Sequence, residues 1–255
     1  MPRTNVHYGW VPDLPDQRDQ MFAATMAVQA NLPAAVDLRP KCPPVVDQGQ
    51  LGSCTANAIA NAHRFDQMKQ AQAKSFMPSR LFIYYNERVM EGTVNSDSGA
   101  MIRDGIKSIA QLGVCDEVGW PYVITKFKSK PTAALYKKAL THQALTYQRV
   151  LQNTAQMKSC LASGFPFVFG FTVYESFESA AVAKSGVVPM PGNKEKILGG
   201  HAVLAVGYDD ASQRFTVMNS WSTTWGMKGF FTIPYAYLAD VGLASDFWAV
   251  NTVEV

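Results

Sequence analysis

Residues 47–65 read DQGQLGSCTANAIANAHRF, a glycine-containing turn that runs directly into an alanine-rich segment. Glycine and the small Ser53 allow a tight turn, and alanine is the strongest helix former. Apolar residues recur every three or four positions after the turn, at Ala58, Ile59, Ala62, Phe65 and Met68. This spacing predicts a helix that is largely buried, with Cys54 in its first turn.

A cysteine in the first turn of a helix has a particular chemistry. The backbone N–H groups there lack intrahelical partners, and the positive end of the helix dipole favours a thiolate over a thiol. The thiolate is the nucleophilic form of cysteine. The alternative is that Cys54 is simply a small buried hydrophobic residue, as most free cysteines are.

Two segments far downstream offer partners for such a nucleophile. Residues 199–208 read GGHAVLAVGY, which predicts a strand with His201 near its start. Residues 217–230 read VMNSWSTTWGMKGF and contain Asn219. Together they supply a base and an amide that could orient it.

These segments resemble the three signature blocks of papain-like cysteine peptidases, of the bacterial type with a short N-terminal pro-segment. The first two blocks match residues 48–54 and 200–202, and the third matches residues 219–221 together with 225–230. The resemblance covers about residues 32–255. Two positions depart from the family pattern. Leu51 stands where the family usually has a cysteine, and Thr55 stands where it usually has an aromatic residue.

The resemblance implies a role for each matching residue. Cys54 would be the nucleophile, and His201 would act first as its base and then as the acid for the leaving amine. Asn219 would orient the imidazole, and Trp221 would cover that contact. Gln48 would donate to the oxyanion together with the Cys54 backbone N–H. The alternative is that each polar side chain is only a structural hydrogen-bond partner.

The resemblance also assigns Gly99, Gly200 and Trp221 to the substrate cleft. Gly99 would pair its backbone with an extended substrate, unless it is a plain turn glycine. By analogy, Gly170 and Gly199 would leave room for a bulky apolar side chain next to the residue that is cleaved.

The periodicity predicts an α+β chain with helices in its first half and strands in its second. Helices are expected at 78–89, 102–112 and 154–163, and strands at 165–173, 201–208, 214–219, 229–233 and 247–254. The resemblance implies a helical lobe at about 45–125 and a β lobe, an antiparallel sheet or barrel, at about 146–255. The active-site cleft would lie between them in a peptidase domain of residues 32–255.

Residues 1–31 form a separate leader, rich in proline and aspartate. One hypothesis is that it lies in or beside the cleft as a short pro-segment or lid, making the chain an autoinhibited zymogen. Tyr8, Trp10 and Leu14 would then be its apolar anchors. The alternative is a strap packed on the outside of the fold.

Composition argues against several other classes of protein. With 47% hydrophobic and 17% charged residues, the 255-residue chain has material for a sizeable core. A net charge of +3 is too small to predict binding to nucleic acid or to a membrane surface, and no apolar run is long enough to span a membrane. No metal or nucleotide motif occurs, so neither a metal nor another cofactor is expected.

The cysteines and the N-terminus leave two questions open. If Cys54 stays free, Cys42, Cys115 and Cys160 remain, and three cysteines cannot all pair within one chain. Cys42 could still pair with either of the others. The N-terminus lacks the apolar core of a signal peptide, so both a cytoplasmic location and export after cleavage of a signal stay open.

The predicted function is that of a cysteine endopeptidase or exopeptidase acting on peptides or proteins through a thioester on Cys54. Two alternatives share the same motifs. One is a catalytically silent binding protein whose leader permanently occupies the cleft. The other is a ligase or transpeptidase, in which an amine rather than water accepts the acyl group.

Overall fold

The computed structural model describes residues 8–255 and has an α+β fold in which a group of helices faces an antiparallel sheet. The helices are α1 (Met26–Ala30), α2 (Cys54–Ala71), α3 (Arg80–Met90), α4 (Ile102–Leu112), α5 (Ala133–Ala139), α6 (Thr154–Ala162), α7 (Ala180–Ser185) and α8 (Tyr235–Ala239). The strands are β1 (Trp10–Val11), β2 (Ala35–Asp37), β3 (Ala100–Met101), β4 (Ala144–Arg149), β5 (Phe167–Tyr174), β6 (Ile197–Asp209), β7 (Arg214–Met218), β8 (Phe230–Pro234) and β9 (Ala244–Val253). The predicted fold class is therefore confirmed.

Helix α2 lies at the centre of the molecule. It packs against α3 and α4 on one side and against β6 and β9 on the other, so its first ten residues are all buried. Small side chains, such as Ala56 and Ala60, let neighbouring elements approach its axis closely. The prediction of a largely buried helix with Cys54 in its first turn is confirmed.

The helices beside α2 begin and end within two residues of the predicted positions. The hydroxyl of Ser79 accepts the N–H of Phe82 at 3.2 Å and caps the start of α3. Helix α4 ends at Gly113, whose φ of +68° is in the region that glycine adopts without strain. These helices hold the Cys54 end of α2 from the side opposite to the sheet.

The sheet has the strand order β4-β9-β5-β6-β7-β8, with every neighbouring pair antiparallel, and β2 pairs with the end of β6. The five predicted strands all form within a few residues of their expected ends. The sequence prediction missed β4 and β2. Strand β4 has mostly half-buried side chains without a clear alternation, and β2 has only three residues, so neither produces a period-two signal.

Aromatic side chains fill the interior of the sheet lobe. Phe167, Phe169 and Phe171 alternate along β5 and are all completely buried. The Phe169 ring lies parallel to that of Phe247 on β9, with ring centroids 5.6 Å apart. This stack joins two neighbouring strands below the cleft and fixes the sheet on which His201 is carried.

All four cysteines are free, with Cys42 half-buried and the other three buried. The pairing of Cys42 that the sequence left open is therefore not formed. Within residues 8–255, no helix is long and apolar enough to cross a membrane. In that same part of the chain, no group of three or more His, Cys, Asp or Glu side chains could hold a metal ion.

We expect Phe169→Ala to lower the free energy of unfolding by about 3–5 kcal/mol, because it removes a fully buried ring from a stacked cluster. Urea unfolding followed by circular dichroism measures this loss. Val187→Ala is the control, because its side chain is half exposed and its truncation should change stability by less than about 0.5 kcal/mol. A loss below about 1 kcal/mol for Phe169→Ala would mean that the stack is not part of the stabilising core.

Candidate active site

Cys54 is the first residue of α2, and its side chain is completely buried. The backbone N–H groups of Ala202, Gly9 and Thr55 lie near its Sγ and lower the pKa of the thiol. Burial nevertheless raises the pKa of the Cys54 thiol to about 12, and the three amides lower this pKa by less. The sequence predicted that the start of the helix favours a thiolate, but removing the sulfur from water has the larger effect on the pKa and favours the thiol.

His201 lies on β6, directly before the residue that touches the Cys54 sulfur. Its Nε2 is 2.8 Å from Oδ1 of Asn219, and Oδ1 also accepts the N–H of Ser220 at 2.8 Å. Because an amide oxygen only accepts, Nε2 of the imidazole carries the hydrogen. The indole of Trp221 stacks on the imidazole, with ring centroids 4.9 Å apart, so the His201–Asn219 contact is shielded from water.

The Gln48 side chain is fully buried in the loop before α2. Its Oε1 accepts the hydroxyl of Ser220 at 2.6 Å, and its Nε2 donates to the carbonyl of Leu51 at 3.0 Å. The backbone N–H of Gln48 also donates to the Ser220 carbonyl at 2.9 Å. The loop that carries the nucleophile is therefore attached to the segment that carries Asn219.

The leader runs through the cleft and covers these groups. Its strand β1 pairs in parallel with β3, and the carbonyl of Gly9 accepts the N–H of Ala100 at 2.8 Å. The Tyr8 ring lies 6.0 Å from that of His201, and its hydroxyl donates to Glu178. Residues 8–11 therefore lie inside the cleft and not on the outside of the fold.

The predicted substrate glycines line the path of this leader strand. Gly170 and Gly200 lie against Trp10, so a side chain at either position would overlap its indole. Gly199 contacts Tyr8 instead, which differs from its predicted place beside Gly170. Gly99 borders the strand closely, but the N–H that pairs with the leader belongs to the next residue, because the Gly99 N–H points towards the hydroxyl of Tyr84 at 3.3 Å.

A polar cluster at the base of the cleft holds the leader after β1. Asp246 accepts the indole N–H of Trp10 at 3.1 Å and the backbone N–H of Asp13 at 2.8 Å. The Asp13 carboxyl accepts the indole N–H of Trp248 at 2.8 Å and the backbone N–H of Arg103 at 3.0 Å. The carboxyl groups of Asp13 and Asp246 thus lie close together in a largely buried site, where most of their hydrogen-bond donors are uncharged.

A second group of charges ties down the following residues. Asp19 pairs with Arg103 at 2.5 Å and with Arg149 at 3.2 Å, and Arg149 also reaches Asp246 at 3.2 Å. Sequence reasoning missed all these partners. The aspartate-rich leader was a usable signal, but its arginine partners lie far away in the chain and belong to no motif.

Leu14 was predicted to be a third apolar anchor, and this prediction is wrong. Its side chain is 69% exposed. Its carbonyl is instead engaged by Arg103, whose guanidinium also holds Asp19. Backbone and charge contacts therefore replace apolar packing once the leader leaves the cleft.

The sequence profile of the papain family of cysteine proteases matches residues 32–250. The chain belongs to this family. It is a papain-like cysteine peptidase, a hydrolase, as the resemblance predicted.

Particular relatives make the assignment more specific. An uncharacterized peptidase C1-like protein of Acanthamoeba polyphaga mimivirus is 44% identical over 271 residues, which cover 97% of this chain and 87% of the relative. The crystal structure of xylellain, a cysteine protease from Xylella fastidiosa, superposes with a TM-score of 0.93 at 45% identity and covers 98% of this chain and 97% of that one. Cathepsin K of Gallus gallus is 28% identical over 223 residues, which cover 84% of this chain and 62% of the relative.

A more distant structure shares the fold. Procathepsin L 3 from the midgut of Tenebrio molitor larvae has a TM-score of 0.71 at 17% identity, covering 93% of this chain and 75% of that one. At that identity the likeness concerns the fold alone.

We expect the leader to dock less tightly as the pH rises from about 4 to 6. Burial, followed by the charge of Asp246, raises the pKa of Asp13 from 3.8 to about 6 in the docked leader. Asp13 therefore takes up a proton when the leader docks. Its contribution makes docking most favourable below pH 3.8, and the free energy of docking is less favourable by about 3 kcal/mol above pH 6. The measurement is the rate at which 2,2′-dipyridyl disulfide modifies Cys54, compared between the full-length protein and its Asp13→Asn variant.

The ratio of the two rates cancels the intrinsic pH dependence of the thiol. This ratio should rise by up to about 100-fold between about pH 4 and 6.5, because the asparagine does not titrate. Asp240→Asn, at an exposed carboxyl outside the leader, serves as the control and should leave the profile unchanged. A ratio that stays constant with pH would contradict the prediction.

Proposed function

We propose that the chain cleaves peptide bonds through a thioester formed on Cys54, with His201 as general base and then general acid. The observation that carries the proposal is the contact between the Cys54 sulfur and the N–H of Ala202, which brings the thiol beside the adjacent imidazole. Asn219 engages Nε2, so Nδ1 is the ring nitrogen that exchanges the proton with sulfur. Gly9 of the leader must first leave the sulfur, which returns it to a more polar environment.

The cycle then uses each neighbouring group in turn. The thiol proton moves to His201, and the thiolate attacks the carbonyl carbon of the substrate. The oxyanion accepts from the Cys54 backbone N–H and from the second hydrogen of the Gln48 amide nitrogen, whose first hydrogen is held by Leu51. The C–N bond breaks as the imidazolium protonates the amine. Water, deprotonated by His201, then releases the acid and restores the thiol.

The leader indicates which side chains the cleft prefers. Trp10 rests on Gly170 and Gly200, where only glycine leaves room for so large a ring. Its indole N–H reaches Asp246 at the inner end of the same pocket. We propose that a bulky, mainly apolar side chain of the substrate takes this place, and that an aromatic residue with a polar hydrogen is preferred.

The leader is also the proposed inhibitor of this same activity. It fills the substrate path, donates a backbone N–H to the nucleophile and leaves the thiol inaccessible to solvent. Tyr8 and Trp10 cover the imidazole and the side-chain pocket, respectively. Hydrolysis therefore requires that residues 8–13 leave the cleft, either by undocking or by cleavage.

Cys54→Ala should lower peptide hydrolysis by roughly 10⁴-fold or more, because no acyl-enzyme can form. A peptidyl chloromethylketone should add to residue 54 in the unsubstituted protein, as located by mass spectrometry. Cys42→Ala is the matched control and should keep both the activity and the adduct, since Cys42 lies outside the cleft. An adduct on another cysteine with full hydrolysis by Cys54→Ala would refute the assignment.

The same substrate in the presence of an added amine separates hydrolysis from ligation. A peptidase releases mainly the free acid, whereas a ligase forms the amide of the added amine. Mass spectrometry of the reaction mixture measures the free acid and the amide in one experiment.

Trp10→Ala in the full-length chain should raise the rate of Cys54 alkylation and of peptide hydrolysis by about 10-fold or more, because the leader loses the ring that fills the pocket. Leu14→Ala is the matched control, since this leader side chain is exposed. Equal rates for the unsubstituted protein, Trp10→Ala and Leu14→Ala would remove the leader from the regulation of the site.

A further inference from the structure

Two glycine-containing backbone segments form the walls between which the leader strand passes. One wall is the loop before the nucleophile at Gly52, and the other is the turn at Gly99. A side chain on Gly9 would overlap the Gly52 carbonyl, and a side chain on Gly99 would overlap the backbone of Gly9. The gap between the walls therefore has the thickness of one peptide backbone.

A buried tyrosine and an aspartate join these two walls. Both carboxylate oxygens of Asp97 accept the N–H of Gly52, each at 3.1 Å. The Tyr84 hydroxyl donates to the same carboxylate and accepts the N–H of Gly99 at 3.3 Å. A continuous path of hydrogen bonds thus runs from one side of the gap to the other.

The bridge is attached to a rigid part of the protein. Tyr84 belongs to α3 and is completely buried, and the guanidinium of Arg88 lies 4.0 Å from the centre of its ring. Burial raises the pKa of the Tyr84 hydroxyl, so it remains a hydrogen-bond donor at any ordinary pH. The Tyr84 hydroxyl therefore has a fixed position from which it binds Asp97 on one side and Gly99 on the other.

No disulfide bond joins the two walls. Leu51 occupies the position next to Gly52 where the family usually has a cysteine, and all four cysteines of the chain are free. The loop before Cys54 is therefore joined to the turn at Gly99 through the hydrogen bonds of Asp97 and Tyr84, without a disulfide.

We propose that Tyr84 and Asp97 are positioning residues that set the width of the gap between Gly52 and Gly99, so that an extended peptide backbone is held in line with the nucleophile. The inference rests on the proposed function, in which a substrate backbone takes the place of the leader strand. Tyr84 and Asp97 touch neither the substrate nor the reacting atoms. They act through the two backbone N–H groups that they hold.

The test uses Tyr84→Phe and Asp97→Ala, each of which breaks the path. Two variants serve as references. Asp97→Asn keeps an oxygen that accepts from Gly52, and Tyr85→Phe removes a hydroxyl from the next residue of the same helix, which faces a separate cavity with Asn86, Val89 and Tyr136. All are made in full-length chains, with thermal unfolding recorded for each.

The first readout compares two substrates, with Trp10→Ala added to every chain to weaken docking of the leader. For a four-residue peptide, Tyr84→Phe and Asp97→Ala should lower kcat/KM by about 10-fold, mostly through KM. An ester of a single acylated amino acid does not reach Gly99 and should lose less than about 3-fold. Asp97→Asn and Tyr85→Phe should stay within about 3-fold for both substrates. Equal losses for the two substrates, or no loss for the peptide, would overturn the inference.

The second readout does not require activity. Amide hydrogen exchange of Ala100 reports on the leader strand, because its N–H donates to Gly9 and not to Tyr84. In chains with the native leader, Tyr84→Phe and Asp97→Ala should accelerate this exchange by about 10-fold, and Tyr85→Phe should not. Unchanged Ala100 exchange would overturn the inference. Accelerated exchange without any hydrolysis would instead contradict the proposed function and leave the positioning role supported.

Discussion

The contact between the start of α2 and strand β6 is the constraint on which the site depends. Cys54 belongs to the helix and His201 belongs to the strand. The two side chains can approach each other only if helix and sheet pack at one particular offset. Each residue along a helix rises 1.5 Å, and a slip of one residue would move the sulfur out of reach of the Ala202 N–H. Small buried side chains on one partner and a continuous antiparallel sheet on the other hold this register.

The leader packs against a nucleophile candidate whose pKa is set by two opposing effects. The neighbouring N–H groups, one of them from Gly9 of the leader, lower the pKa of the Cys54 thiol, yet exclusion of water raises it by more. The ion pairs of the leader also differ in how deeply they are buried. The Asp19–Arg103 pair is almost fully buried, with 8% and 5% of the two side chains exposed. Removing one partner would therefore leave a buried charge without its counter-ion. The Asp16–Arg18 pair, with an arginine that is 86% exposed, is screened by water and contributes little to docking.

The departure from the family pattern at Thr55 has a structural counterpart behind the nucleophile. Its hydroxyl donates to Oε1 of Glu87 at 2.7 Å, and the Glu87 side chain is fully buried. Burial raises the pKa of Glu87 well above its usual range, which favours the neutral carboxyl. A negative charge at this place would oppose a thiolate on Cys54. Thr55, which stands where the family pattern has an aromatic residue, thus supplies a hydrogen bond to a buried acid.

The amino-acid sequence by itself determined the strongly periodic elements, and its resemblance to the family pointed to the candidate site residues. Helix α2 and the strands around His201 follow from local patterns, because helix period, strand alternation and turn glycines act over a few neighbouring residues. Only the tertiary structure decided that Ala100, rather than Gly99, offers its N–H to the strand in the cleft. It also decided that Asp13 faces Asp246 and that Tyr84 joins the two walls. Such contacts join residues that are distant in sequence, and their energies depend on burial and direction, which no local pattern records.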